Sequence, residues 1–168
     1  ETWIPPQVNN TGLWKIREVS LRDVEEVTKI FVNTYQGTID EQLFVPGGLK
    51  MEEESIYLSN FLQNRNSEFP IINAASLVAT LREDEIAGFC FISTWRDLPF
   101  VWEMVVSKKH QRKGIGKSLF VQSLLRVRDL GYKQIALFVT HGNDIARTLY
   151  DSIGFKADSC TQVMFKKD

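Results

Sequence analysis

The sequence is poor in residues that staple or ligate. It holds two cysteines, Cys90 and Cys160, and two histidines, His110 and His141, in 168 residues. At that number, and without metal-ligand spacing, they exclude a disulfide framework and offer no zinc site, so no metal and a reducing compartment are expected. Long apolar runs are missing as well. Nothing approaches the roughly 18 consecutive apolar residues of a bilayer span, and no basic segment followed by an apolar one opens the chain. The expectation is a soluble, cytoplasmic protein with no membrane partner. An excess of one charge is also lacking, since 20 basic residues face 21 acidic ones for a formal net charge of -1. A whole-surface nucleic-acid binder must neutralise many phosphates, so no nucleic-acid partner is expected. What remains is an ordinary globular composition, 43% hydrophobic and 24% charged. A chain of this length buries roughly 70% of its unfolded surface and needs no staple. With no repeat, low-complexity tract or linker, it reads as a single domain over 1–168 with an irregular lead-in over 1–12.

Alternation over 14–19 suggests a first strand, and Ser20 then caps a helix over 21–35 with Val24, Val27, Ile30 and Phe31 at helical spacing. After the break at Pro46-Gly47-Gly48, a second helix is expected over 51–63. Its apolar stripe would be Ile56, Tyr57 and Phe61, and its first turn carries Glu52, Glu53 and Glu54. Three strand-like runs follow over 76–82, 86–94 and 99–107, the first two joined by the polar turn Glu83-Asp84-Glu85. Phe120, Leu124 and Val127 place a helix over 116–130, stopped by Gly131. A buried strand over 134–140, a helix over 143–153 ended by Gly154, and a closing strand over 162–167 complete a mixed α/β order.

The most informative stretch is Gln111-Arg112-Lys113-Gly114-Ile115-Gly116-Lys117-Ser118, between a strand end and a helix start. Two glycines there let backbone approach a ligand closely, and a helix N-terminus offers unpaired N–H groups at a positive dipole end. Phosphate is the natural guest. Lys108, Lys109, Arg112, Lys113 and Lys117 crowd the same turn and add basic charge. A P-loop would need glycine at Gln111, and a GxGxxG fingerprint would need glycine or alanine at Leu119, so both fail on spacing. The form Gln/Arg-x-x-Gly-x-Gly/Ala is satisfied by Gln111, Gly114 and Gly116.

That turn resembles the coenzyme A pyrophosphate turn of the GNAT superfamily of acetyl-CoA-dependent N-acetyltransferases. A second block agrees: Asn143-Asp144-Ile145-Ala146-Arg147-Thr148-Leu149-Tyr150, followed by Ile153-Gly154-Phe155, is similar to the family's late helix and its Gly-Phe exit. Tyr35-Gln36-Gly37 resembles a first-helix ending of many relatives. The resemblance implies a mixed, mostly antiparallel central sheet flanked by helices on both faces and splayed at the strand 100–107. It also implies acetyl-CoA as acyl donor. The cofactor contacts would be the N–H groups of Arg112, Lys113, Gly114, Ile115, Gly116 and Lys117 together with Gln111. Met104, Val105 and Val106 at the strand end would also be cofactor contacts, with a backbone N–H near Val105 or Val106 holding the oxyanion, and Asn143 and Arg147 would add to the cofactor site, Asn143 near the pantetheine.

Acyl transfer to an amine needs a neutral nucleophile, a stabilised oxyanion and a protonated leaving thiol. Deprotonating a lysine-like amine at neutral pH costs about 4 to 5 kcal/mol, so a base or a water relay is expected. Glu103 is the candidate base, the only charged residue in Phe100-Val101-Trp102-Glu103-Met104-Val105-Val106, where desolvation should raise its pKa. The alternative for Glu103 is an edge-strand carboxylate facing water. Tyr150 is the candidate acid for the thiolate, on one helix face with Asn143 and Arg147; a core aromatic is its alternative. The acceptor side is expected from the first two helices and their loop, with Tyr35 and Gln36, while Trp95 and Trp102 add apolar walls. The acceptor itself, a small molecule or a peptide amine, is not named by these residues, and a homodimer stays open. Attack in a ternary complex is preferred to a covalent enzyme intermediate, because no activated cysteine or serine is identifiable. Two rivals remain: a CoA-binding regulatory module without turnover, and a nucleotide-binding interaction domain using the same basic turn.

Overall fold

The computed structural model describes residues 6, 8, 13–45, 47–65, 68–82 and 85–157. Among the described residues five strands form an open sheet in chain order: β1 (Lys15–Glu18), β2 (Leu77–Thr80), β3 (Ile86–Trp95), β4 (Leu98–Val106) and β5 (Ala136–Leu137). The first three pairings are antiparallel, and β4 with β5 is parallel. Helices α1 (Val24–Tyr35), α2 (Ile39–Phe44) and α3 (Met51–Leu62) precede β2; α4 (Ile115–Asp129) and α5 (Asp144–Ile153) follow β4 and β5. The mixed, mostly antiparallel sheet with helices on both faces is therefore present. The expected strand over 162–167, Cys160, and most of the turn at 83–85 lie outside the described residues.

Two cores sandwich the sheet. On one face Val27, Ile30 and Phe31 of α1 and Leu58, Phe61 and Leu62 of α3 meet Val78, Phe89 and Phe91. On the other, Ile115, Leu119, Phe120 and Leu124 of α4 meet Leu77, Cys90 and Ile92. The stripe expected for α3 is corrected. Ile56 is 64% exposed, and the buried face is Leu58, Phe61 and Leu62, at i, i+3 and i+4. Tyr57 is turned aside, where its hydroxyl accepts a hydrogen bond of 2.8 Å from Trp102 Nε1.

The start of α1 is anchored by charge. Buried Asp23 accepts bonds of 2.8 and 2.7 Å from the Arg17 guanidinium and 2.8 Å from the Ser20 N–H. Burial would raise its pKa, but these bonds more than offset that and hold the carboxyl below its ordinary range. The strand expected over 134–140 shrinks to two residues, because β4 pairs with β5 only at Phe100 with Ala136 and Val101 with Leu137. Beyond that point the strands part, which is the expected splay. Among the described residues no helix is long and apolar enough to cross a membrane.

Candidate active site

The splay begins at a defect in β4. Phe91 of β3 lies opposite Glu103 and Ile92 opposite Val101, so Trp102 is an extra residue and β4 bulges there. Strict alternation from Val101 would send Glu103 toward α4. Instead Val101 and Met104 join the α4 core, Trp102 and Val105 join the α1/α3 core, and Glu103 meets Tyr35 of α1. The bulge thus turns two successive side chains, Trp102 and Glu103, to one face.

Glu103 is held there in a crowded, polar niche. The Tyr35 hydroxyl donates to its Oε2 at 2.9 Å, and the Tyr35 ring is fixed against Phe31 with centroids 4.9 Å apart. Burial pushes the Glu103 pKa up to about 7, against the pull of the Tyr35 hydrogen bond, and the carboxylates of Asp40 and Glu54 add to the rise. A proton acceptor matched to neutral pH results. The same burial drives the Tyr35 and Tyr150 hydroxyls far above the ordinary phenol range and brings Tyr57 to about 12. All three keep their protons at neutral pH.

Trp102, expected as an apolar wall, stacks on Phe61 at 5.5 Å and lies 4.9 Å from Phe69. Trp95 lies elsewhere. It pairs with Leu98 at the far end of the β3–β4 hairpin, five residues along β4 from Glu103 and so about 17 Å away. There it is 38% exposed, beside Phe138 and under the Arg96 guanidinium. Gln36 is exposed directly after α1, and Tyr150 packs edge-on to Phe120 at 5.3 Å, on the α4 side. Asn143 caps α5, its side-chain oxygen accepting from Ala146 N at 3.2 Å, while Arg147 points into solvent.

Where β4 ends, the glycine turn begins. Gly114 caps α4 with φ 84, a left-handed conformation suited to glycine, and brings no side chain to occupy the first N–H groups of the helix. Gly116 supplies closeness: a Cβ there would sit 3.1 Å from Met104 Cε and 3.3 Å from Val106 Cγ2. Helix α4 therefore starts pressed against the freed end of β4. Gln111 reaches back, its Nε2 donating to Val106 O at 2.9 Å, and Arg112 takes φ 62, rare for a residue with a side chain. Of the basic residues, Lys109 is paired with Glu85, and Lys113 Nζ donates to Lys109 O at 3.1 Å. Arg112 and Lys108 are exposed. Helix-start amides beside exposed cations are an arrangement that suits an anion.

Residues 40–155 match the model of the acetyltransferase (GNAT) family, well over half of the chain. The chain belongs to that family. No curated protein matches it in sequence. Solved structures share the fold at low identity. One is the PaiA N-acetyltransferase of Thermoplasma acidophilum in complex with coenzyme A, 20% identical with TM-score 0.71, covering 88% of this chain and 92% of that one. Another is the ribosomal-protein-alanine N-acetyltransferase of Brucella melitensis biovar Abortus 2308, 21% identical with TM-score 0.65, covering 92% and 99%. A third is an aminoglycoside acetyltransferase from an uncultured soil metagenomic sample, in complex with sisomicin, 18% identical with TM-score 0.66, covering 95% and 99%. This GNAT enzyme is an N-acetyltransferase. Sequence reasoning did not find three groups at its candidate base. Asp40 sits on a helix too short to show a period, while Glu54 reads in the sequence as a helix-start charge and Tyr57 as part of an apolar stripe, neither of which points to Glu103.

Proposed function

We propose that the enzyme transfers the acetyl group of acetyl-CoA to a primary amine by direct attack in a ternary complex. The observation that carries this reading is the parting of β4 from β5 after Val101. It frees the β4 edge between an anion cradle at its end and a carboxylate with a pKa near 7 at its bulge. The backbone amides of 112–117, with Gln111 bracing the turn, are suited to the pyrophosphate of CoA. The N–H groups near Val105 and Val106 are suited to the thioester oxygen, and Asn143 and Arg147 to the pantetheine side.

Glu103 takes one proton from the acceptor ammonium. Passing it from an amine of pKa about 10.4 to a carboxyl near 7 costs about 5 kcal/mol, against about 8 kcal/mol for an unperturbed carboxyl. The freed nitrogen lone pair bonds to the acetyl carbon, the carbon–sulfur bond breaks, and the sulfur takes a proton from the Tyr150 hydroxyl. The nitrogen then loses its second proton, which restores Tyr150 through solvent, so one proton is released per turnover. Gln36 and Trp102 remain the proposed acceptor contacts, while Trp95 lies too far along the hairpin from Glu103 to serve a small acceptor; Glu54 and Asp40 favour a cationic acceptor.

Calorimetry with CoA, followed by thiol release from acetyl-CoA in the presence of 1,4-diaminobutane, an alanine-initiated peptide, a lysine peptide and kanamycin, tests the reading. Saturable CoA binding with amine-dependent thiol release supports it. Binding with no release above the amine-free control favours a regulatory CoA module. Equal protection of the fold by ATP favours a nucleotide-binding domain.

A further inference from the structure

We propose that Tyr35 is a positioning residue, whose hydroxyl holds one oxygen of the Glu103 carboxylate so that the other receives the acceptor's proton. Three observations support it. The bond from Tyr35 Oη to Glu103 Oε2 is 2.9 Å, and among the described residues Oε1 has no hydrogen-bonding partner. The Tyr35 ring is pinned by Phe31 one turn back on α1, so the hydroxyl is aimed by packing and not by a flexible chain. The bulge at Trp102 is what delivers Glu103 to that hydroxyl, so two independent features of the fold converge on one bond. This gives Tyr35 a role different from the acceptor contact expected of it.

A carboxylate with one oxygen engaged cannot rotate freely, and its remaining oxygen is presented in a fixed direction. The bond also favours the ionised form, opposing burial. The other groups that bear on Glu103 are Asp40 of α2 and Glu54 of α3, with the hydroxyls of Tyr57 and Tyr150 and the buried Cys90 thiol coupled to it. Asp40 and Glu54 disfavour the carboxylate. Tyr35 is the side chain that stabilises it.

The inference rests on Glu103 serving as the base, and the test separates the two. Protein labelled with 13C at glutamate Cδ is titrated by NMR with CoA present, the Glu103 signal being assigned by its loss in Glu103→Gln. A Tyr35→Phe variant keeps the ring and drops the hydroxyl. Its Glu103 midpoint is expected to rise by about one pH unit, a charge-assisted hydrogen bond's worth. With the amine of the panel that releases thiol fastest, kcat at pH 7 should fall several-fold, recover at high pH, and leave the acceptor KM unchanged. An unmoved midpoint overturns the proposal, as does a raised KM with an unmoved pH limb, which would make Tyr35 an acceptor contact. Should Tyr35→Phe fail to fold, 3-fluorotyrosine placed at 35, a stronger donor of nearly the same shape, must move the midpoint down. If Glu103→Gln keeps full turnover while the midpoint still shifts, the base assignment fails and the Tyr35 bond stands as structural.

Discussion

Thr140, beyond the end of β5, donates a hydrogen bond to Asp40 at the start of α2, across one hundred positions of sequence. The bond ties the short helix to the far side of the splay and keeps the Asp40 charge close enough to Glu103 to raise its pKa. Asp40→Asn retains an oxygen that can accept from Thr140 but removes the charge. The ionised form of Glu103 then becomes easier to reach. The acid limb of kcat/KM should move to lower pH by up to about one unit. A limb that moves upward instead would show that the tie, and not the charge, governs the site.

Glu103→Gln isolates the base. The wild-type rate should climb about tenfold per pH unit below pH 7 and level off above, since only the carboxylate accepts a proton. The variant should lose that limb and about 10²-fold in kcat. Stability should change in the opposite sense. A carboxyl whose folded pKa lies above its unfolded value contributes stability that is complete below about pH 4.5 and lost as pH rises through about 7. At pH 8 the Gln variant should therefore resist urea better by about 3 kcal/mol, with the advantage gone at pH 4. Chemical melts at the two pH values decide it.

Much of this site was legible because its signals are local. The turn from Gln111 to Lys117 carries its meaning in spacing alone, and the apolar positions of α4 recur at 3.6 residues whatever they pack against. Glu103 stood out as a lone charge in an apolar strand. Its partner did not, because the bond to Tyr35 spans sixty-eight positions and depends on a bulge that no periodicity announces. A one-residue bulge inverts which face every later side chain takes, so a strand's pattern fixes facing only up to the first defect. The six residues of α2 are too few to show a helical period, and its cap, Thr38 accepting from Glu41 N at 3.3 Å, is a single threonine among many. The short β5 has a similar cause: an apolar run shows that a strand can be buried, not how far its neighbour will accompany it.

The two glycines of the turn should respond differently to alanine. Gly114→Ala forces a Cβ onto φ 84, a backbone cost of about 1 kcal/mol, with open space around it. It should lower the melting temperature by a few degrees. Gly116→Ala adds a Cβ against Met104 Cε and Val106 Cγ2 at ordinary helical φ, and both neighbours are side-chain ends that can yield. The motif admits alanine at this position, so CoA affinity by calorimetry should hold within about twofold with little change in melting. A melting loss in Gly116→Ala equal to that in Gly114→Ala would show that Met104 and Val106 cannot yield.

Tyr150 tests the other half of the proton path. Its ring is wedged between Phe120 and Phe155 at 5.3 and 6.0 Å, and burial keeps its hydroxyl protonated through the neutral range in which Glu103 ionises. A group in that state can give a proton to a thiolate leaving group without competing for the one Glu103 removes. Tyr150→Phe keeps the aromatic packing, so stability should change by less than about 1 kcal/mol and CoA affinity should hold. If the hydroxyl protonates the sulfur, kcat should fall by about 10²-fold while the acceptor KM and the limb near pH 7 stay in place. A thioester with a better leaving thiol needs the proton less, so it should recover most of the loss. Full turnover with acetyl-CoA in Tyr150→Phe would leave the ring as a core aromatic and hand the proton to water.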